Sequence, residues 1–312
     1  MAARPSALLI VAPDRNPQDL ASRIGARLPG VDVRVWPEVG EPSDIAFALA
    51  WRAPEPLFDR LPNLRAVVSL GAGVDGLIDR NDLDGRVMIG RLSGARLAAD
   101  MAAYLVATVV SRWRKLNRFE EQQRRAEWRP WAPARAPEVG LLGVGCMGRK
   151  AAEAFRALDI PVHGWTRSGQ VPDSVGSERG RSGLERLASS CDVLINLLPL
   201  TRATRGLLDA NLFSSMRRDS LLVNVGRGEH LVEDDLMEAL NAGRPGHAVL
   251  DVFQHEPLPA DHPFWRHPRV TVTPHCASLT SAEEAATLAA ESYRRVMQGD
   301  PPLGQVDRER GY

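Results

Sequence analysis

The sequence predicts an α/β protein built as two doubly wound parallel sheets in tandem. Three observations predict it. Short apolar runs such as Ala7–Ala12, Ile45–Ala50 and Leu221–Val225 recur along the chain, as strands buried on both faces do. Segments with helical spacing separate most of these runs, the alternation that gives a parallel sheet covered on both sides. The series begins again at Val139–Leu142 after a proline-rich break at 130–137, so the 312 residues divide into two units.

In order, Ala7–Ala12 is a strand that ends at Pro13. Residues 17–28 have helical spacing, and Val31–Val35 alternates as a strand does. Ile45–Ala50 and Ala66–Leu70 are two more buried strands, with a proline-bearing helical segment between them. This first unit ends near residue 95 without any glycine-rich turn. Residues 95–126 read as one long helix. Its first half, ARLAADMAAYLVATVV, is almost wholly apolar, and its second, SRWRKLNRFEEQQRRAEW, is heavily charged. A helix that changes character in this way is expected to link the domains and to form part of a homodimer contact. Val139–Leu142 runs directly into GVGCMG, followed by a helix over 149–158. Strands are expected at 160–165, 193–198, 221–225, 247–252 and 270–273. A last helix, roughly 280–298 after Ser278 and Thr280, is expected to return to the first domain.

Composition narrows the function. Net charge is zero, with 39 cationic and 39 acidic residues, which argues against the basic excess of a nucleic-acid protein. The chain is 44% apolar and 25% charged, as soluble globular proteins are. No apolar run approaches the ~18 residues of a membrane span. The apolar stretch in MAARPSALLIVAPD is too short for a secretory signal. A cytoplasmic location is expected. Cys146, Cys191 and Cys276 lack metal-ligand spacing and read as free thiols; no metal is expected. Cys276 beside His275 suggests a nucleophile, but a neighbour along an extended segment points the other way.

The glycine-rich turn carries the first chemistry. A lone GxGxxG is weak evidence; this one follows a strand, opens a helix and lies in a βαβ unit. Gly143 would make the tight turn, Gly145 would let the backbone approach a pyrophosphate, and Gly148 would let helix and strand pack closely. Cys146 and Met147 stand within the same cradle, where the helix N-terminus offers N–H groups to an anion. The end of the next strand selects the cofactor. It reads GWTRSG, with Thr166 where an NAD site places an acid, followed by Arg167 and Ser168. No carboxylate repels a 2′-phosphate there and a guanidinium can bind one, so NADP(H) is expected over NAD(H). The expected domains are therefore a dinucleotide-binding Rossmann domain over 103–285 and a flavodoxin-like substrate-binding domain over 1–102 plus 286–312, with the active-site cleft between them.

The second chemistry is a trio: Arg227 in VNVGRG, Glu256 in DVFQHEPL and His275 in TPHCAS. An arginine can hold a carboxylate, a histidine can move a proton, and a glutamate can hold and charge that histidine. Each lies just past an expected strand, where open α/β sheets bind ligands. Together they read as a hydride-transfer site for a small keto acid.

GVGCMG, NVGRG, DVFQHEPL and TPHCAS, in this order, resemble the D-isomer-specific 2-hydroxyacid dehydrogenases over essentially the whole chain, and within them the bacterial glyoxylate/hydroxypyruvate reductase A subgroup. LINLLP at 194–199, LVEDDL at 231–236, SLGAGVD at 69–75, Trp51 in WRAPEP and GQVDRERGY at 304–312 support the likeness. The resemblance implies that Arg227 holds the substrate carboxylate and polarises the keto oxygen. It implies that His275 is the acid in reduction and the base in oxidation, and that Glu256 hydrogen-bonds His275 and favours its protonated form. It places the backbone of Ala72 and Gly73 on the carboxylate, Asp251 facing the nicotinamide carboxamide, and Leu198–Thr201 and Val225–Gly226 along the cofactor cleft. Trp51 would close the pocket on small substrates. Asp159 stands where the family commonly has a glycine, and Asp tolerates a left-handed backbone. The expected activity is NADPH-dependent reduction of glyoxylate and hydroxypyruvate. A reductase of a bulkier 2-keto acid is the alternative within enzymes. A non-catalytic dinucleotide sensor is the alternative outside them, and the complete trio argues against it.

Overall fold

A computed structural model describes residues 6–13, 15–133, 135–172 and 175–312. The chain forms two compact units, residues 1–97 with 279–312, and residues 98–278. Both junctions fall a few residues before those expected, the first inside a helix that runs through it.

The first unit holds β1 (Ala7–Val11), α1 (Pro17–Arg27), β2 (Val33–Val35), β3 (Ile45–Ala50), β4 (Ala66–Ser69), α2 (Asp75–Ile78) and β5 (Met88–Arg91). Asn16 caps α1 by accepting from the Asp19 N–H, and Pro17 occupies its first turn, where a missing N–H costs nothing. The sheet is parallel with order β2-β1-β3-β4-β5, so its chain reversal falls between β1 and β3. Between β3 and β4 the expected helical segment is only a 3-10 turn, Phe58–Arg60. Asp82 caps that turn through the N–H groups of Leu57 and Phe58. Burial would raise the Asp82 carboxyl, but Arg80 and the two amides outweigh it and hold it at about 2.

The stretch read as one helix over 95–126 is two, α3 (Ala95–Trp113) and α4 (Leu116–Arg124). Lys115 between them has φ +53, the left-handed region. Its ammonium sits 4.3 Å over the Trp131 ring, and Trp113 Nε1 donates to the Arg135 carbonyl. The break thus lies against the returning proline-rich segment. The apolar half of α3 belongs to the core: Met101, Leu105 and Val109 pack with Val139, Leu141, Val193 and Val223 of the second unit.

The second unit continues with β6 (Val139–Leu142), α5 (Cys146–Arg156), β7 (Val162–Trp165), β8 (Gly176–Glu178), α6 (Gly180–Ser190), β9 (Val193–Asn196), α7 (Ala210–Ser215), β10 (Leu221–Asn224), α8 (Glu233–Ala242), β11 (His247–Leu250) and β12 (Val270–Val272). The sheet is parallel with order β12-β11-β10-β9-β6-β7-β8. This is the doubly wound dinucleotide-binding order with one strand added, and its chain reversal lies between β6 and β9. α5 begins at Cys146 rather than 149, so the glycine turn supplies its first turn. Asp159 has φ +56, as its place at the end of that helix required.

The last helix, α9 (Ala282–Gln298), returns to the first unit as expected. It begins after Ser278 and Thr280, and its cap is Ser281, whose Oγ accepts from the Glu284 N–H. It packs on the first sheet through Ala286, Ala289 and Tyr293, and Glu283 pairs with Arg23 and Arg27 of α1.

Candidate active site

The glycine turn has the geometry its spacing implies. Gly143 has φ +94, and its N–H donates to the Trp165 carbonyl at 2.9 Å. A Cβ on Gly148 would lie 2.3 Å from the Gly143 carbonyl oxygen, so only glycine lets α5 start this close to β6. A Cβ on Gly145 would meet nothing within 4 Å; packing inside the chain does not ask for glycine there, whereas a close-lying ligand would. No side chain caps α5, and its first N–H groups suit a phosphate. Cys146 is exposed and Met147 half-buried.

Past β7, the Thr166 N–H donates to the Glu178 carbonyl at 3.1 Å, which fixes the turn. Arg167 and Ser168 are exposed, and no carboxylate occupies 166–168. The Glu178 carboxylate on β8 is paired with Arg186 at 2.6 Å. These residues fit a 2′-phosphate better than a bare ribose diol.

β10, β11 and β12 are neighbours, and Arg227, Glu256 and His275 follow them in turn. His275 Nδ1 and Glu256 Oε2 are 2.8 Å apart. Glu256 Oε1 accepts from the Phe253 N–H at 3.1 Å, which orients the carboxylate toward the ring. Arg227 Nη1 donates to the Gly226 carbonyl at 2.8 Å. A Cβ on Gly228 would lie 1.9 Å from the Phe253 carbonyl carbon. The loop after β10 is thereby pressed against the one after β11, and Gln254 Nε2 ties the latter to the Leu231 carbonyl.

Asp251 is 2% exposed. Its carboxylate accepts from Thr273 Oγ1 at 2.6 Å and from the N–H groups of Cys276 and Ala277 at 2.9 Å. Its carbonyl accepts from the His275 N–H at 2.8 Å. Asp251 therefore shapes the turn in which His275 takes φ +51, a role that its motif does not announce. Tyr104 OH completes the chain by donating to Thr273 at 2.7 Å; burial pushes its phenol up to about 12. Burial and the neighbouring Asp251 also raise the Cys276 thiol, which disfavours a thiolate nucleophile.

Sequence reasoning missed three polar residues here. Asn196, Asn224 and His230 are all 0% exposed, and they tie the strand ends that carry Leu198 and Pro199 to those that carry Val225, Gly226 and Arg227. The available signal was a polar residue closing an apolar strand, as in LIN and LVN.

In the first unit, the Trp51 ring lies against Gly71, whose Cβ would be 2.9 Å from it. Ser69 Oγ accepts from the Gly71 N–H at 3.3 Å and donates to the Gly73 carbonyl at 2.7 Å, shaping the turn through Ala72. Trp51 and this loop follow adjacent strands, β3 and β4. The Arg15 guanidinium stacks 4.3 Å above Trp51; nothing in the apolar pattern singled it out. Among the described residues no group of three or more His, Cys, Asp and Glu side chains is placed to hold a metal ion, and no helix is long and apolar enough to cross a membrane.

A parallel sheet in the 3-2-1-4-5-6 order, with a glycine turn and a strand-end Arg-Glu-His trio, defines a dinucleotide-dependent dehydrogenase. Residues 106–277 match the model of the D-isomer specific 2-hydroxyacid dehydrogenase, NAD binding domain. The chain belongs to the D-isomer-specific 2-hydroxyacid dehydrogenase family. It is 36% identical over 298 residues to a glyoxylate/hydroxypyruvate reductase A of Yersinia enterocolitica, covering 93% of this chain and 95% of that one. A D-isomer-specific 2-hydroxyacid dehydrogenase of Xanthobacter autotrophicus Py2, solved with NADPH and MES, superposes with a TM-score of 0.93 at 36% identity, over 99% of this chain and 100% of that one. An NADPH-dependent glyoxylate/hydroxypyruvate reductase of Sinorhizobium meliloti, solved with NADP and sulfate, gives 0.90 at 31% identity, over 98% and 100%.

Proposed function

We propose that this protein is an NADPH-dependent reductase of glyoxylate and hydroxypyruvate, forming glycolate and D-glycerate. The observation that carries the reading is the 2.8 Å pair of His275 and Glu256 beside the Arg227 loop, in a chain whose relatives bear that name. The glycine turn, the uncapped start of α5, Arg167 and Ser168 would hold the dinucleotide, with Leu198, Pro199, Val225 and Gly226 along it. When bound, NADPH supplies the hydride that goes to C2 of the keto acid.

The chain's own residues do the rest. Arg227 holds the carboxylate and meets the negative charge that grows on the keto oxygen, an effect that is largest where water is excluded. Glu256 on Nδ1 assigns proton transfer to Nε2 of His275, which delivers the proton to that oxygen. The same pair, run backwards, takes the proton in oxidation. Ala72 and Gly73 are proposed to grip the carboxylate with main-chain N–H groups, and Trp51 to limit the length of the keto acid. A homodimer through the 95–126 segment and a cytoplasmic location belong to the same proposal; Trp128, 95% exposed beside α4, is the apolar feature a partner copy would cover.

The test is steady-state kinetics with NADPH and NADH across glyoxylate, hydroxypyruvate and phenylpyruvate, for wild type and His275→Ala. The expected result is turnover of the two small acids with NADPH and a loss of about 10²–10⁴-fold in the variant. Preference for phenylpyruvate would favour the bulkier-substrate reading. Turnover of none of the acids would overturn the enzyme assignment.

A further inference from the structure

The strongest unexplained feature is the buried polar network under the Arg227 loop. Asn196, Asn224 and His230 have no exposed surface, and such groups are costly unless bonded. Asn196 Nδ2 donates to Asn224 Oδ1 at 2.9 Å and to His230 Nδ1 at 2.8 Å. Asn224 Oδ1 also accepts from the Gly226 N–H at 3.2 Å, and Asn224 Nδ2 donates to the Arg227 carbonyl at 3.0 Å. His230 Nδ1 accepts the Arg227 N–H at 3.1 Å, and Nε2 lies 3.3 Å from the Pro199 carbonyl. Both main-chain polar groups of Arg227 are thus held by buried side chains. A Cβ on Gly226 would sit 2.8 Å from Asn196 Nδ2, so the chain also lies tightly on the network.

The bonding settles the state of the ring. Nδ1 faces two N–H donors, so it accepts and carries no proton; Nε2 faces a carbonyl, so it carries the proton and donates to Pro199. We infer that His230, as its neutral Nε2–H tautomer, is a positioning residue for Arg227: its Nδ1 anchors the main chain at 227 and so sets where the guanidinium meets the substrate carboxylate. Arg227 has a long flexible side chain, and its aim depends on its root. A shift of about 1 Å at such a group can cost about 100-fold in rate. This inference rests on the proposed function of the site.

The test compares two polar replacements. In His230→Asn the amide oxygen can stand near Nδ1 and accept both N–H groups; in His230→Gln the amide reaches the Nε2 position and leaves them unmet. The wild type is assayed first with NADPH and glyoxylate; inactivity there would refute the function itself. With an active wild type, His230→Gln is expected to lose about 100-fold in kcat/KM, mainly through KM for glyoxylate. His230→Asn should stay within about fivefold, the scale of one net hydrogen bond. NADPH affinity, read by its fluorescence, should stay within about twofold in both. In an Arg227→Lys background His230→Gln should cost no more than about twofold further, since residues acting through one another do not add. Equal losses in Asn and Gln, additive losses with Arg227→Lys, or a matching loss of NADPH affinity would overturn the inference. Should the variants not fold, ¹⁵N NMR of the wild-type ring decides it: an unprotonated Nδ1 supports the inference and a protonated Nδ1 refutes it.

Discussion

His275 and His247 illustrate how one residue type serves two ends. His275 is half-buried at the end of β12, with Glu256 on one ring nitrogen. His247 opens β11, 8% exposed, with Nε2 2.9 Å from Thr271 Oγ1. Burial, helped by Arg112 and His267, pushes its pKa down to about 4. The unfolded chain takes up a proton near pH 6.5, which the folded chain resists until about pH 4. Stability is therefore full above pH 6.5 and is lost as pH falls toward 4. At pH 5 the loss from this residue is about 2 kcal/mol. Urea melts at pH 7.5 and 5 should show it in wild type and not in His247→Gln; identical pH dependence in the two proteins would remove His247 as the cause.

Among the elements, the loop after β10 shows the most interlocking. Gly228 is held by its approach to Phe253 and Gln254, not by a left-handed φ. Because the obstacle is backbone, an alanine there must displace one loop from the other. Gly228→Ala is expected to lose about 1–3 kcal/mol of stability by overpacking, and kcat/KM should fall because the roots of Arg227 and Glu256 move apart. Chemical denaturation paired with glyoxylate kinetics checks both, and a variant with wild-type values would show that the two loops tolerate separation. The elements also mark what the sequence conceals. β5 and β8 escaped notice because MIGR and GSE carry no apolar alternation; β5 is a strand because β4 offers it an edge, with Pro302 close against Gly90, and β8 because β7 offers it one. The stretch 95–126 has unbroken helical spacing, and its break at Lys115 falls where the chain meets the proline-rich return, through Lys115 over Trp131 and Trp113 on the Arg135 carbonyl.

For the molecule as a whole, the proposed cofactor provides a test that needs no turnover. A ligand that binds only the folded chain stabilises it by about 2.7 kcal/mol at a hundred times its Kd. NADPH should raise Tm by more than NADH at equal concentration, because Arg167 and Ser168, rather than a carboxylate, follow β7. A larger shift with NADH would reverse the cofactor assignment. The effect should report on the second unit, which carries the glycine turn.

Two parallel sheets, the glycine turn and the trio were all legible in the order of residues along the chain. Buried strands require apolar runs, a close helix–strand approach requires glycine at 148, and a strand end exposes the residues just beyond it. The hydrogen-bond partners of Asn196, Asn224, His230 and Asp251 emerge only in the folded chain. Their meaning lies in hydrogen bonds between segments far apart in the chain, as Asp251 with Cys276 or Asn196 with His230. A buried polar residue announces that it has a partner, but which partner depends on the strand order that brings the loops together.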